Sequence, residues 1–242
     1  MRLMTATPRA GTASRPSATT KGTRTLLLGG GVAGPLFTVV VGAQMAAREG
    51  FDPARHPLSL LSVGDMGWVQ IANFVLAGTL FLAGAIGMRR VLDSGPAGTW
   101  GPRLIAALGV ALIWGGVFVA DPADSFPPGT PAGPPETLSW HGALHTLGPV
   151  VGLLAPTVAC FVFARRFGRL GRQGWAAYCV TTGVVAALLA VAAFPAADYR
   201  LLFTGDVLLN LCASVVAAIL LTGVPAPEEM TATPRSRNAT TP

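Results

Sequence analysis

The sequence predicts an all-α fold: a six-span transmembrane helical bundle with short loops and a polar cap at its outer end. Three observations carry the prediction. The chain has 242 residues of which 51% are hydrophobic and 12% charged, about half the charged share of an average soluble domain. Its apolar residues fall into six long uncharged runs. Its basic residues collect on alternate connections between those runs.

The runs are Leu26–Met45, Trp68–Met88, Leu104–Ala120, Thr146–Ala164, Gly174–Phe194 and Val207–Val224. A hydrocarbon layer about 30 Å thick takes roughly 17–25 residues of helix to cross, and each run has that length. Arg9, Arg15, Lys21 and Arg24 precede the first run as they would a secretory signal. Its apolar stretch exceeds the roughly 7–15 residues of a signal core and no small-x-small site follows, so it is read as a retained span. Glycines such as Gly29–Gly31 and Gly115–Gly116 weaken a helix in water but let helices approach closely in lipid. A large soluble bundle would need charged outer helix faces, and none of the six runs has one.

Residues 1–25 and 225–242 are rich in Thr, Ala, Pro, Ser and Arg and read as disordered tails, leaving residues 26–224 as the transmembrane domain. Lys and Arg number fourteen on the tails and the second and fourth connections, and three (Arg48, Arg55, Arg200) on the first, third and fifth. That bias places both termini in the cytoplasm. Eight of the eleven acids, Asp206 among them, then lie outside. The net charge of +6 and pI of 10.2 therefore express insertion topology. No basic groove with aromatic partners is present, so a nucleic-acid partner is excluded. Sixteen Arg against one Lys points to a GC-rich bacterial genome, and hence to the bacterial cytoplasmic membrane. Cys160, Cys179 and Cys212 show no ligand spacing and read as packing residues.

All three histidines fall on the outer side. His141 and His145 stand i, i+4 and share a helix face, a spacing that suits two ligands of one divalent ion such as zinc. His56, Asp65, Asp121 or Asp124 would supply a third ligand. The competing reading makes the histidines hydrogen-bond partners of the carboxylates. Ser59 and Ser62 follow His56 closely, but without a nucleophile elbow they read as caps and turns. Asp52-Pro53 and Asp121-Pro122 read as helix stops. Gln70 and Asn73 in the second span, with Asn210 in the sixth, either hold helices together or line a pocket. No acid, Lys or Arg is expected within a span, which lowers a proton-coupled carrier.

The stretch Gly50–Phe74, with Asp52-Pro53, His56-Pro57-Leu58-Ser59-Leu60-Leu61-Ser62 and Gly67-Trp68-Val69-Gln70-Ile71-Ala72-Asn73-Phe74, resembles a bacterial membrane family known as domain of unknown function 998. Phe118-Val119-Ala120-Asp121-Pro122, Phe126-Pro127-Pro128-Gly129-Thr130-Pro131 and the pair His141 and His145 extend the resemblance over roughly residues 26–222. It implies a six-span helical membrane protein with no assigned activity. Two functions stay open. One is a binding protein with an outer-face pocket for a lipid or small amphiphile, formed by Asp52, His56, Ser59, Ser62, Asp65, Gln70, Asn73, Asp121, His141 and His145. The alternative is a membrane-embedded hydrolase of amphiphilic substrates, with a metal held by His141, His145, Asp121 and His56. A facilitator ranks below both, and the oligomeric state is open.

Overall fold

The computed structural model describes residues 18–93 and 95–223, and among them only helices and loops form. The helices are α1 (Ala18–Ala47), α2 (Gly67–Val91), α3 (Pro96–Val117), α4 (Trp140–His145), α5 (Leu147–Arg169), α6 (Gln173–Ala196) and α7 (Tyr199–Thr222), with a 3-10 turn at Leu58–Ser62. Six helical segments are long and apolar enough to cross a membrane, with α4 and α5 counting as one. Large apolar side chains on their outward faces are exposed, Val39, Leu188 and Val191 among them. Lipid is the solvent that makes such a surface stable.

The helices outrun the uncharged runs. The first begins at Ala18, the third at Pro96 and the last at Tyr199, each eight residues before its run. Backbone signals set these starts. Gly95, at φ 140°, turns the chain into Pro96, and proline at the first helical position gives up an N–H that would be orphaned anyway. Asp198 accepts the Arg200 N–H at 2.9 Å and caps α7. One consequence corrects the expectation of charge-free spans: Asp206 lies inside α7 rather than in the connection before it. Of the expected tail at 1–25, residues 1–17 fall outside the described residues while 18–25 form the start of α1 rather than disordered chain, and the expected tail at 225–242 falls outside the described residues.

Neighbours in sequence are neighbours in space. α1 packs on α2, α2 on α3, α3 on α5, α5 on α6, α6 on α7, and α7 closes the ring against α1. Phe37, Phe81, Phe163, Phe167, Leu27 and Met88 fill its centre. Glycine sets the closest approach: a Cβ on Gly30 of α1 would stand 2.8 Å from the Cα of Gly84 on α2. Between α1 and α7, the Ser214 hydroxyl accepts the Gly34 N–H at 2.8 Å and donates to the Gly30 carbonyl at 2.9 Å.

One end of the ring carries only short turns and most of the arginines. The other, here the cap end, carries the long loops 48–66 and 118–139 and the two-residue turn Ala197–Asp198. Arg48 pins the cap: its guanidinium donates to the carbonyls of Leu61 (3.0 Å) and Val63 (2.6 Å) and lies 5.2 Å above the Phe126 ring. Phe126 is fully buried, with Leu60 and Val63, in a small apolar cluster of its own. The Tyr199 N–H donates to the Ala54 carbonyl at 2.9 Å, tying the first loop to the start of α7.

Candidate functional site

Asp121 organises the junction between α3 and α4. Its carboxylate accepts the Ser139 N–H at 2.9 Å and the Ser139 hydroxyl at 2.6 Å. The same hydroxyl accepts the Gly142 N–H at 3.0 Å and so caps α4. Burial raises the Asp121 pKa, but the Ser139 hydroxyl and N–H, with His141 and His145 close by, outweigh it and hold the carboxyl below its usual range. Gly142 must be glycine here, since any Cβ would collide with the Asp121 carboxylate.

The two histidines of the i, i+4 pair grip consecutive carbonyls of the chain leaving α3. His141 Nδ1 lies 3.0 Å from the Val119 oxygen and His145 Nδ1 2.6 Å from the Phe118 oxygen. A carbonyl accepts only, so each Nδ1 carries the proton. Asp121 stands 4.0 Å from His141 Nδ1. His56 is held elsewhere: its Nδ1 accepts the Asp52 N–H at 2.9 Å, and its Nε2 therefore donates to the Asp124 carbonyl at 2.9 Å. Phe51 and Phe126 pack on its ring. Both nitrogens of His56 are occupied by backbone, so neither is free to ligate. Among the described residues no group of three or more His, Cys, Asp or Glu side chains is placed to hold a metal ion. The donor set expected of His141, His145, Asp121 and His56 is not assembled: both His56 nitrogens and the Nδ1 atoms of His141 and His145 are engaged with backbone, and the Asp121 carboxylate is engaged with Ser139.

The remaining candidates scatter. Asp52 closes a turn, accepting the Ala54 N–H at 2.9 Å, and Asp65 is exposed. Ser62 is buried and donates to the Ser59 carbonyl at 2.6 Å. Gln70 and Asn73 sit between α1 and α2: Gln70 accepts from the Gln44 amide at 2.7 Å, and Asn73 donates to the Phe37 carbonyl at 3.3 Å. These two hold helices together.

A cavity of about 210 Å³ opens in the cap-side half of the ring, lined by residues of α1 to α7 and the 3-10 turn. Phe37, Phe74, Leu108, Leu112, Leu153 and Phe203 form most of its apolar wall. Of the ten candidates from the sequence, Ser59 and His145 line it, and Tyr199, Asp206 and Asn210 join them. Pro149 and Pro156 explain why room exists on the α5 side. Neither has an N–H for the carbonyl four residues back, which breaks the helix at Thr146 and frees the backbone at Gly152.

A family comparison covers this whole arrangement: residues 31–224 match the model described as protein of unknown function (DUF998). The chain belongs to the DUF998 family. No curated protein and no solved structure matches it. In this DUF998 protein the cavity draws its walls from all six spans, and its polar lining includes a carboxylate that the sequence had placed outside. Asp206 was missed because an uncharged-run criterion starts the span at the residue after it. The signal was present in Leu201-Leu202-Phe203, an apolar stretch between the Asp198 cap and Asp206.

Proposed function

We propose that this DUF998 protein is a membrane-embedded binding protein that holds a lipid or small amphiphile in the cap-side cavity. The cap end faces outward and both termini are cytoplasmic, a reading supported by the fourteen-to-three partition of Lys and Arg. The cavity itself carries the proposal. Interiors are otherwise close-packed, and this ring keeps an apolar space of about 210 Å³ with a few polar groups in its wall. An engineered cavity of about 150 Å³ holds a benzene. The space therefore encloses one end of a lipid or a small amphiphile, not a whole phospholipid. Val150 of α5 and Phe194 of α6 line the cavity and are 54% and 74% exposed, which makes the gap between these two helices the route by which the rest of an apolar chain would leave for the bilayer.

The test is to fill the space. A Cβ on Gly152 would meet nothing nearer than Ala111 at 3.8 Å, so Gly152→Leu adds bulk at a residue of the cavity wall without a clash at its first atom. Native mass spectrometry of the wild type released from mild detergent should show a near-stoichiometric amphiphile adduct that Gly152→Leu lacks while keeping its thermal stability. The same adducts on both proteins would overturn the proposal. Hydrolysis at a metal has no comparable support, since no three-donor group is placed among the described residues.

A further inference from the structure

We infer that the cavity selects an amphiphile whose head donates hydrogen bonds, a protonated amine on an apolar body, with Asp206 as its counter-ion. This deepens the binding reading above and rests on it. The Asp206 carboxylate lines the cavity, and among the described residues no hydrogen bond or ion pair reaches it. Arg200, the cation on the same helix, is committed to Asp198 through contacts of 2.7–3.1 Å. An ionisable group left without a partner in a span is expensive, and such groups mark binding sites.

The neighbouring groups have the same polarity. Asn210 spends its amide N–H on the Asp206 backbone carbonyl at 2.8 Å, which leaves its Oδ1 as a buried acceptor with no partner. His145 spends its Nδ1 proton on Phe118, which leaves Nε2 as a second buried acceptor with no partner. These side chains are only 4% and 6% exposed, and both belong to residues that line the cavity. The lining contains no Lys, Arg or Trp, and its two hydroxyls, Ser59 and Tyr199, can donate or accept. A phosphate or carboxylate head would face Asp206 with no cation to hold it. An ammonium, with three donors and one positive charge, meets the inventory on both counts.

Depth fits a small head. Asp206 is seven residues into α7 from Tyr199 and Asn210 eleven, or about 10 and 16 Å along the helix at 1.5 Å per residue. Asp206 and Asn210 thus stand one helical turn apart on the α7 side of an apolar chamber, and an amine must shed water to reach them, which strengthens its pairing with Asp206.

The probes are n-octylamine, 1-octanol and octanoate, titrated calorimetrically into the full chain in dodecyl maltoside. Octylamine should bind at least tenfold more tightly than octanol, octanoate should not bind, and Asp206→Asn should abolish the preference for the amine. Asn210→Leu, which keeps the carboxylate, should weaken octylamine several-fold and leave octanol unchanged. Equal binding of octylamine and octanol by the wild type, or an amine preference that survives Asp206→Asn, would overturn the inference while leaving the pocket intact. If no probe binds and Gly152→Leu changes nothing, the binding reading itself falls. Competition by phosphatidylethanolamine but not phosphatidylglycerol would assign the amine to a lipid head. Octylamine binding that neither lipid displaces would assign it to a free amphiphilic amine; both results support the selection for an ammonium.

Discussion

Replacing Asp121 by alanine should loosen the cap locally, by an amount that the hydrogen bonds set. The carboxylate accepts two hydrogen bonds from Ser139, at 2.9 and 2.6 Å. A hydrogen bond to an ionised group contributes about 1.5–3 kcal/mol. Water reaches this loop and can satisfy part of what is lost, so the pair is discounted to about 2 kcal/mol in total. At 1.36 kcal/mol per decade, that is about a 30-fold rise in the opening equilibrium. The assay is amide hydrogen exchange followed by mass spectrometry over residues 139–146, where the Gly142 N–H rests on the Ser139 hydroxyl. Asp121→Ala should speed exchange there about 30-fold and leave the middle of α2 unchanged. The pH dependence has a definite sign. The Asp121 carboxyl titrates below its ordinary range in the folded protein, so its stabilisation is complete above about pH 4 and is lost as pH falls through the lowered pKa. Ser139→Ala should cost less in the Asp121→Ala background than in the wild type. Strictly additive effects of the two substitutions, or unchanged exchange in Asp121→Ala, would refute this account of the cap.

Two further outcomes are expected. Gly84→Val forces a side chain against the Gly30 backbone, where even a Cβ would sit 2.7 Å from its Cα; α1 and α2 must separate, at a cost of about 1–3 kcal/mol in a detergent unfolding titration. His56→Phe keeps a ring between Phe51 and Phe126 but leaves the Asp52 N–H and the Asp124 carbonyl without partners, which should cost about 2 kcal/mol. A loss that zinc restores would contradict this backbone-clamp role.

The spans were legible because lipid imposes a simple condition: roughly 20 residues with no charge that must reach water. That condition finds the centre of a helix better than its ends. α3 starts at Pro96, before Arg103, and α7 starts at Tyr199, before Asp206, because helix starts are fixed by caps and by glycine and proline geometry. Ranking Gln70 and Asn73 as either tether or pocket residues was as far as a sequence could go. Their partners Gln44 and Phe37 lie on another helix, and facing between helices is a tertiary property. The polar cap was visible as composition, whereas its organising contacts, Arg48 on Phe126 and His56 on Asp124, cross between loops 48–66 and 118–139 and leave no periodic signal.

The i, i+4 histidines show why spacing alone could not name the chemistry. Spacing puts two rings on one helix face and says nothing about what that face meets. Here it meets the chain leaving α3, and the rings grip its consecutive carbonyls, Phe118 and Val119. For His145 the grip reaches further than structure. Because Phe118 can only accept, it fixes the proton on Nδ1. That choice makes Nε2 an acceptor, on a residue that lines the cavity beside Asp206 and Asn210. A glutamine at 145 could turn its N–H groups toward the cavity, and a lysine would neutralise Asp206. The histidine, with its tautomer set by the cap, instead leaves a buried acceptor on a residue of the cavity wall, so one backbone carbonyl outside the cavity decides the polarity that this residue can offer.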